Sequence, residues 1–214
     1  EIIGMTGAEI EVSNDRYFRT SELLCCLTDT PRTNLNYYYP KISRPYRYVR
    51  FTPPPPAYPT ADCRAEIAEL AFFDSVDSEE HLPSKAIYGG GPVDENPAHD
   101  IDKACDDDWL TFYYSSGPRD SIVFDLQRAS TIKKILFVPR NDDNFITPGN
   151  VYELFYQSGV KGWISLGVQT ATTNELVYRN IPEGALLWLR NLTRGKEEQV
   201  FYVEDGEQKF VGYE

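Results

Sequence analysis

Short runs of strand-forming residues, separated by clusters of turn-forming residues, fill the chain from residue 120 to residue 204. No stretch keeps a helical period for long, and the fifteen tyrosines add to the residues that favour strands. Strands at this spacing, joined by turns, are typical of an antiparallel β-sandwich or barrel. The predicted strands are 120–126, 131–138, 151–157, 162–168, 175–178, 185–190 and 198–204.

Three consecutive aspartates, Asp106 to Asp108, stand directly before the aromatic stretch that begins at Trp109. Like charges at this distance repel each other unless water or a cation neutralises them. The stretch therefore predicts a cation-binding loop that leads into a strand.

Five segments in order resemble the discoidin domain, the C-terminal type of coagulation factors five and eight. They are Ala-Cys-Asp-Asp-Asp-Trp-Leu-Thr-Phe (104–112), Ser-Ile-Val-Phe-Asp-Leu (121–126), Ile-Leu-Phe-Val-Pro-Arg (135–140), Val-Tyr-Glu-Leu-Phe-Tyr (151–156) and Gly-Trp-Ile-Ser-Leu-Gly (162–167). This family has a galactose-binding-like jelly roll and includes the family 32 carbohydrate-binding modules. The resemblance implies an all-β fold, an antiparallel β-sandwich of the jelly-roll type, over residues 84–206.

The resemblance also implies a structural calcium site. In the family pattern, an acidic loop and a glutamate on the last strand supply oxygen ligands, which suit a hard cation. The matching residues here are Asp106, Asp108, Thr111 and Glu198, while Asp107 stands where the family favours glycine. The alternative is a solvated acidic turn without a metal.

A sugar site is implied in the loop that follows residues 135–139. The sugar-binding relatives use an arginine and a nearby asparagine to hydrogen-bond adjacent hydroxyls, and an aromatic ring to cover the apolar side of the sugar. Arg140 with Asn144, or with Asn141, matches by position. The relatives take the ring from the loop before the final strand, which has no ring here (192–196), so Phe145 or Trp109 is expected to substitute. The alternative is that Arg140 pairs with Asp142 or Asp125 and pins the loop. Trp163 and Trp188, which stand among apolar residues, are predicted to lie in the core.

The first 76 residues carry a partial repeat of the C-terminal half. Residues 34–51 align with 174–191 at a constant offset, 68–73 resemble 197–202, and 9–12 resemble 152–155. Half a sandwich would leave one apolar sheet face uncovered, so either this half packs on a neighbour or the family uses a shorter β-unit here. The predicted organisation is a short or truncated β-unit (1–76), a linker (77–83), a discoidin-like domain (84–206) and a tail (207–214).

Charge and motif content exclude several functions. The net charge is -12, with 33 acidic and 21 basic residues, which disfavours binding to nucleic acid and to anionic membranes. No apolar run approaches the roughly 20 residues of a membrane-spanning helix. The four cysteines lack metal-site spacing, and they are interpreted as buried thiols or as one disulfide of Cys63. His81 and His99 have no nucleophile or second ligand at a recognisable spacing, so no catalytic site is predicted.

Together these observations predict a non-catalytic carbohydrate-binding accessory module. The segments 47–51 and 63–69 resemble a unit that precedes discoidin domains in large secreted bacterial glycan-degradation proteins, so a secreted, periplasmic or cell-surface location is expected. The expected partner is a glycan or glycoprotein. The alternatives are a protein-interaction, adhesion or spacer module, or the accessory end of a larger enzyme with an upstream catalytic domain.

Overall fold

A computed structural model describes residues 5–31, 35–56, 63–92 and 95–211. The described residues form antiparallel sheets with a few short 3-10 turns, which confirms the predicted all-β sandwich class. The strands are β1 (Glu9–Ser13), β2 (Glu22–Cys26), β3 (Asn36–Tyr38), β4 (Tyr46–Thr52), β5 (Glu66–Phe73), β6 (Lys85–Tyr88), β7 (Tyr113–Tyr114), β8 (Ile122–Ser130), β9 (Lys134–Pro139), β10 (Val151–Gln157), β11 (Trp163–Thr170), β12 (Leu187–Asn191), β13 (Lys196–Glu197), β14 (Phe201–Glu204) and β15 (Glu207–Phe210).

The chain divides into two compact units, residues 1–143 and residues 144–214. This division differs from the boundaries predicted from the sequence, which separated 1–76 from 84–206. The difference arises because strands from 1–76 pair with strands from 84–143. For example, β4 pairs with β8 and β5 pairs with β9, both antiparallel.

The first unit is a two-layer sandwich. One sheet has the strand order β2-β1-β4-β8-β6, and the other has the order β3-β9-β5-β7. Their inner faces share one hydrophobic core that includes side chains from both sheets. Phe51 of the first sheet and Phe137 of the second stack in this core, with ring centroids 5.6 Å apart. The apolar face of the N-terminal strands is therefore covered by residues from the same chain.

The predicted linker, 77–83, also contributes to the first unit. Leu82 is buried in the shared core, and its amide donates to the Phe72 carbonyl. Residues 74–80 are mostly exposed, as their polar sequence predicts. The segment is thus an exposed loop that ends in a core residue.

The second unit is one sheet with the order β11-β10-β12-β14-β15, and β13 pairs with β12. The predicted tail contributes β15, which pairs with β14, while residues 212–214 lie outside the described residues. The prediction of a strand at 175–178 is wrong, because these residues, though described, join no ladder. Residues 175–178 lie in the connection between β11 and β12, and Ala171 and Leu187, at the two ends of this connection, are buried.

The predicted repeat corresponds to the same three-strand arrangement in both units. In the first unit, Ile10 pairs with Phe51 and Val12 with Val49, and in the second, Tyr152 pairs with Asn191 and Leu154 with Leu189. These pairs make 10 and 12 equivalent to 152 and 154, so the predicted alignment of 9–12 with 152–155 is wrong by one residue. In each unit a third strand pairs with the opposite edge of the first one: β2 pairs with β1, and β11 pairs with β10. The two units thus share a three-stranded antiparallel arrangement with the first strand in the centre, although their other strands differ.

All four cysteines are free thiols, but the first predicted alternative, buried thiols, holds only for Cys63; Cys25, Cys26 and Cys105 are half-buried. No helix in the described part of the chain is both long and apolar enough to cross a membrane.

Candidate functional site

The three aspartates form a tight bend on the outer side of the second sheet of the first unit. Trp109 and Phe112, which follow the bend, pack on an outer apolar cluster that includes Ala71 of β5 and Leu136 of β9. Asp107 has a φ of 62°, the left-handed region that glycine adopts without strain. Asp107 thus adopts, at some cost, a conformation that glycine would adopt freely.

Hydrogen bonds close the bend on itself. The Asp106 carboxylate accepts from the Thr111 hydroxyl at 2.9 and 3.0 Å and from the Asp108 amide at 3.2 Å. The Lys103 ammonium lies 3.2 Å from the Asp106 carboxylate. Asp106, Asp108 and Thr111, predicted as metal ligands, are thus together, and an ammonium group supplies a cation beside them.

A buried carboxylate from β5 also reaches this bend. Glu69 is 2 % exposed, and its Oε2 accepts from the Asp107 amide at 3.0 Å. Burial, together with the charges of Asp107 and Asp106, raises the pKa of Glu69 from 4.5 to about 8 despite the backbone hydrogen bond. At neutral pH in the absence of a metal, this group therefore carries a proton most of the time.

The predicted fourth ligand, Glu198, belongs to the second unit, where it pairs with Lys196 at 3.3 Å. Glu69 is the residue that the sequence repeat aligns with Glu198. Within the described residues, no three histidine, cysteine, aspartate or glutamate side chains converge into a ready cage for an ion. The side chains as placed do not fit a calcium ion, and calcium at this bend stays a prediction.

If calcium binds at the bend, it will stabilise the folded chain. At a hundredfold excess over its dissociation constant, the free energy of unfolding should rise by roughly 2.7 kcal/mol. Thermal melting with added calcium and with a chelator measures this difference. Asp106→Asn should remove the difference, whereas Asp205→Asn, in an exposed turn of the second unit, should preserve it. Identical melting curves with calcium and with chelator would eliminate the metal and leave Lys103 as the cation of the bend.

The predicted sugar-binding arginine is engaged by its own neighbours. Arg140 Nε lies 2.9 Å from the Asp142 carboxylate, and its Nη1 lies 3.4 Å from that of Glu66. Its guanidinium lies over the Phe112 ring, 4.5 Å from the centroid, and 5.9 Å from that of Tyr114. These contacts match the predicted alternative in which Arg140 pins the loop through Asp142. Asp125, the other proposed partner, pairs instead with Arg47 at 2.8 Å.

Asn141, also predicted for the sugar site, is held inside the loop by its own hydrogen bonds. Asn141 is buried, its amide donates to the Trp109 carbonyl at 2.8 Å, and its side-chain oxygen accepts from the Asp143 amide. It therefore supports the loop. Asn144 and Phe145 are the first two residues of the second unit, the former exposed and the latter half-buried.

The second unit has an aromatic face that sequence reasoning missed. Phe155 and Trp188 pair directly across β10 and β12, so their side chains lie on the same face of the sheet, and their centroids are 5.5 Å apart. Trp163 of β11 lies 5.5 Å from Trp188, and it is 36 % exposed. The prediction that Trp163 and Trp188 are core residues is wrong, because this sheet face is not enclosed around them. We call Phe155, Trp163 and Trp188 the aromatic face.

Polar groups flank the aromatic face. Ser165 donates to the Glu153 carboxylate at 2.7 Å, and Arg190 lies 5.3 Å from the Trp188 centroid with its Nε 3.5 Å from the Glu197 carboxylate. Glu153 and Arg190 pair across β10 and β12, so they belong to the same sheet face. The rings are thus bordered by a carboxylate and a guanidinium.

A signal for this face was present in the sequence. Side chains alternate between the two faces of a strand. Glu153 and Phe155 must therefore share a face, as must Trp163 and Ser165. A strand of a fully enclosed core would not place a serine or a glutamate beside its aromatic residues.

Comparisons of the chain with family models, with curated proteins and with solved structures find no match.

Proposed function

We propose that this chain binds glycans as a non-catalytic accessory module. The observation that supports the proposal best is the aromatic face with its polar border. The C–H groups of a sugar ring form an apolar side that packs on aromatic rings, while its hydroxyls hydrogen-bond with carboxylates and guanidinium groups. The face offers both kinds of contact on a rigid sheet.

The geometry of the rings favours a particular kind of glycan. The planes of Phe155 and Trp188 differ by 37°, and those of Trp163 and Trp188 by 52°. Rings tilted in this way do not present one flat surface. We therefore expect a soluble, flexible oligosaccharide rather than the surface of a crystalline polysaccharide. With few ordered groups and a small contact area, the affinity per site should be weak.

The resemblance to discoidin domains is consistent with this proposal, since that family includes sugar-binding modules on one scaffold with several ligand types. In the same proposal, the chain functions in a secreted or surface-exposed protein. The loop at Arg140 is the second place at which a glycan would bind, provided that the ligand displaces Asp142 or Glu66 from the guanidinium.

Trp163→Ala should weaken glycan binding at least tenfold, equivalent to about 1.4 kcal/mol, because it removes the most exposed ring of the aromatic face. Calorimetric titration with a panel of neutral oligosaccharides measures the affinity. Val160→Ala, at a fully exposed residue before the same strand, is the matched control and should bind normally. Arg140→Ala tests the loop separately.

A protein partner is the rival proposal, favoured by one observation. Tryptophan and arginine together are typical of the residues that carry most of the binding energy at protein interfaces. If no oligosaccharide binds, or if Trp163→Ala binds as well as the unmodified chain, glycan binding at the aromatic face is contradicted. A Trp163-dependent complex with a protein stripped of its glycans would instead support the rival.

A further inference from the structure

One edge of the sheet in the second unit is exposed. β15 stands at the end of the strand order of that sheet, and its partner among the described strands is β14. The side chains of Glu207 and Gln208 are exposed, and those of Phe210 and Val211 are 46 % and 45 % exposed. The backbone groups of an exposed edge strand are a template to which a strand of another chain can add.

The hydrogen-bond pattern shows which backbone groups of β15 lie at this edge. The Val211 amide donates to the Val200 carbonyl, so the backbone groups of residue 211 point towards β14. Successive residues of an antiparallel strand direct their N–H and C=O groups to opposite sides. The backbone groups of Gln208 and Phe210 therefore point away from β14, and an added strand would bond to them.

The charges on β15 select among the strands that can add. Glu207 lies directly opposite Glu204 of β14, and like charges at opposed positions of a sheet destabilise each other. Lys209 forms an ion pair with this same Glu204 across the hairpin. A lysine opposite Glu207 on an added strand would offset the repulsion between the two glutamates. β15 itself carries a lysine on the face that Glu207 occupies, two residues along the strand.

A second copy of β15 meets both the backbone and the charge requirements. In an antiparallel pairing centred on Gln208, the two copies of Gln208 exchange backbone hydrogen bonds, and each Glu207 lies opposite Lys209 of the other copy. A pairing centred on Glu207 or on Lys209 would place like charges opposite each other, and one centred on Phe210 would place Lys209 opposite Val211. We infer that the chain forms a two-fold symmetric dimer through β15, in the register that pairs Glu207 with Lys209.

The dimer joins two copies of this sheet into one. The two-fold axis between antiparallel edge strands is perpendicular to the sheet, so the two aromatic faces lie on the same side. Trp188 of β12 is five strand spacings from its counterpart, or about 24 Å at about 4.8 Å per spacing. Two weak sites on one surface bind a multivalent glycan more tightly than either site alone. This consequence rests on the proposed function, whereas the dimer itself does not.

Sedimentation equilibrium of the full chain at increasing concentration tests the dimer. The measured mass should rise from 24.5 kDa towards twice this value. Gln208→Pro should weaken the dimer at least tenfold, because proline removes an N–H that points to the exposed side and leaves the bonds to β14 intact. Gln208→Val keeps this N–H, so it is the matched control and should dimerise.

Two charge variants test the register. Glu207→Lys and Lys209→Glu should each weaken the dimer at least tenfold when studied alone, because each places like charges opposite each other. When the two variants are mixed, a heterodimer should form, since every lysine then lies opposite a glutamate. Glu207→Lys also relieves the repulsion from Glu204, so its effect does not come from a weakened hairpin. Melting curves show that each variant remains folded.

The outcomes separate this inference from the proposed function. A chain that stays monomeric up to millimolar concentration overturns the inference, and so does a dimer that tolerates Gln208→Pro or charge variants that form no heterodimer. A β15-dependent dimer that binds no oligosaccharide supports the inference and contradicts the proposed function. If both are correct, Gln208→Pro should bind an immobilised oligosaccharide less tightly than the unmodified chain and a soluble one equally well.

Discussion

Phe137→Ala should lower the free energy of unfolding of the first unit by about 3–5 kcal/mol, the usual effect of removing a buried aromatic side chain from a core. Phe137 is completely buried in β9 and stacks on Phe51 of β4. One ring comes from the residues after position 84 and the other from the first 76 residues. The substitution removes contacts from both sheets at once.

Segment-resolved hydrogen exchange shows where that stability is lost. Protection should fall in β1 and β4 as much as in β8 and β9, because the four strands share one core. Leu23→Ala, at an exposed position of β2, should change the free energy by less than about 0.5 kcal/mol. If β1 and β4 keep full protection while β8 and β9 lose theirs, the two halves do not form one sandwich.

Glu69 should make the metal-free chain less stable as the pH rises from about 5 to about 8. Its folded pKa of about 8 lies above its unfolded value of 4.5, so the folded state holds a proton that the unfolded state releases. The stabilisation is therefore complete below pH 4.5, decreases between the two values, and is absent above pH 8. This difference between the folded and the unfolded pKa of Glu69 corresponds to at most about 5 kcal/mol in the free energy of unfolding.

Glu69→Gln should remove this pH dependence, because an amide keeps the acceptor for the Asp107 amide without a titrating proton. Urea denaturation at several pH values, with a chelator present, measures the free energy of unfolding of the variant and of the unmodified chain. The difference between the two, as a function of pH, is the contribution of Glu69. Glu198→Gln is the matched control from the other copy of the repeat, and it should leave the pH profile unchanged. Identical profiles for Glu69→Gln and the unmodified chain would contradict the buried, protonated carboxylate.

Strand positions could be predicted from the sequence, because β-branched and aromatic runs between turns are local signals. Residues 151–157 form a strand as predicted, and the bounds of 122–130 and 134–139 differ from the predicted ones by one to four residues. Residues 175–178 have a similar composition but gain no ladder partner. Composition alone cannot distinguish an extended connection from a strand.

Strand partners could not be predicted, because the same strand can pair with either copy of a repeat. The sequence interpretation takes 84–143 as the first half of a discoidin-like domain, and both 1–76 and 144–204 as copies of its second half. Because residues 144–204 follow 84–143 directly along the chain, the later copy was predicted to complete the domain. In the structure, β8 pairs with β4 of the earlier copy, which resolves the uncovered face that the half-domain presented.

The same repeat explains why the candidate cation site was predicted only in part. The bend formed by Asp106, Asp108 and Thr111 is local, so its sequence pattern was sufficient to find it. The carboxylate expected from a distant strand depended on which copy of the repeat pairs with residues 84–143. Glu69 of the earlier copy reaches the bend, whereas Glu198 of the later copy was predicted. The aromatic face was missed for a different reason. Apolar neighbours in sequence indicated a core, although the alternation of side chains placed serine and glutamate beside the rings.

The central claim is that the first 76 residues complete the sandwich whose other strands come from residues 84–143. A site for a sequence-specific protease, inserted between Val76 and Glu79 in the exposed loop, tests it by cutting the chain between the two halves. Size-exclusion chromatography of the cut chain should show both fragments in one peak under native conditions and two peaks in denaturant. Fragments that separate under native conditions, with the larger one still melting cooperatively at the original temperature, would contradict the claim.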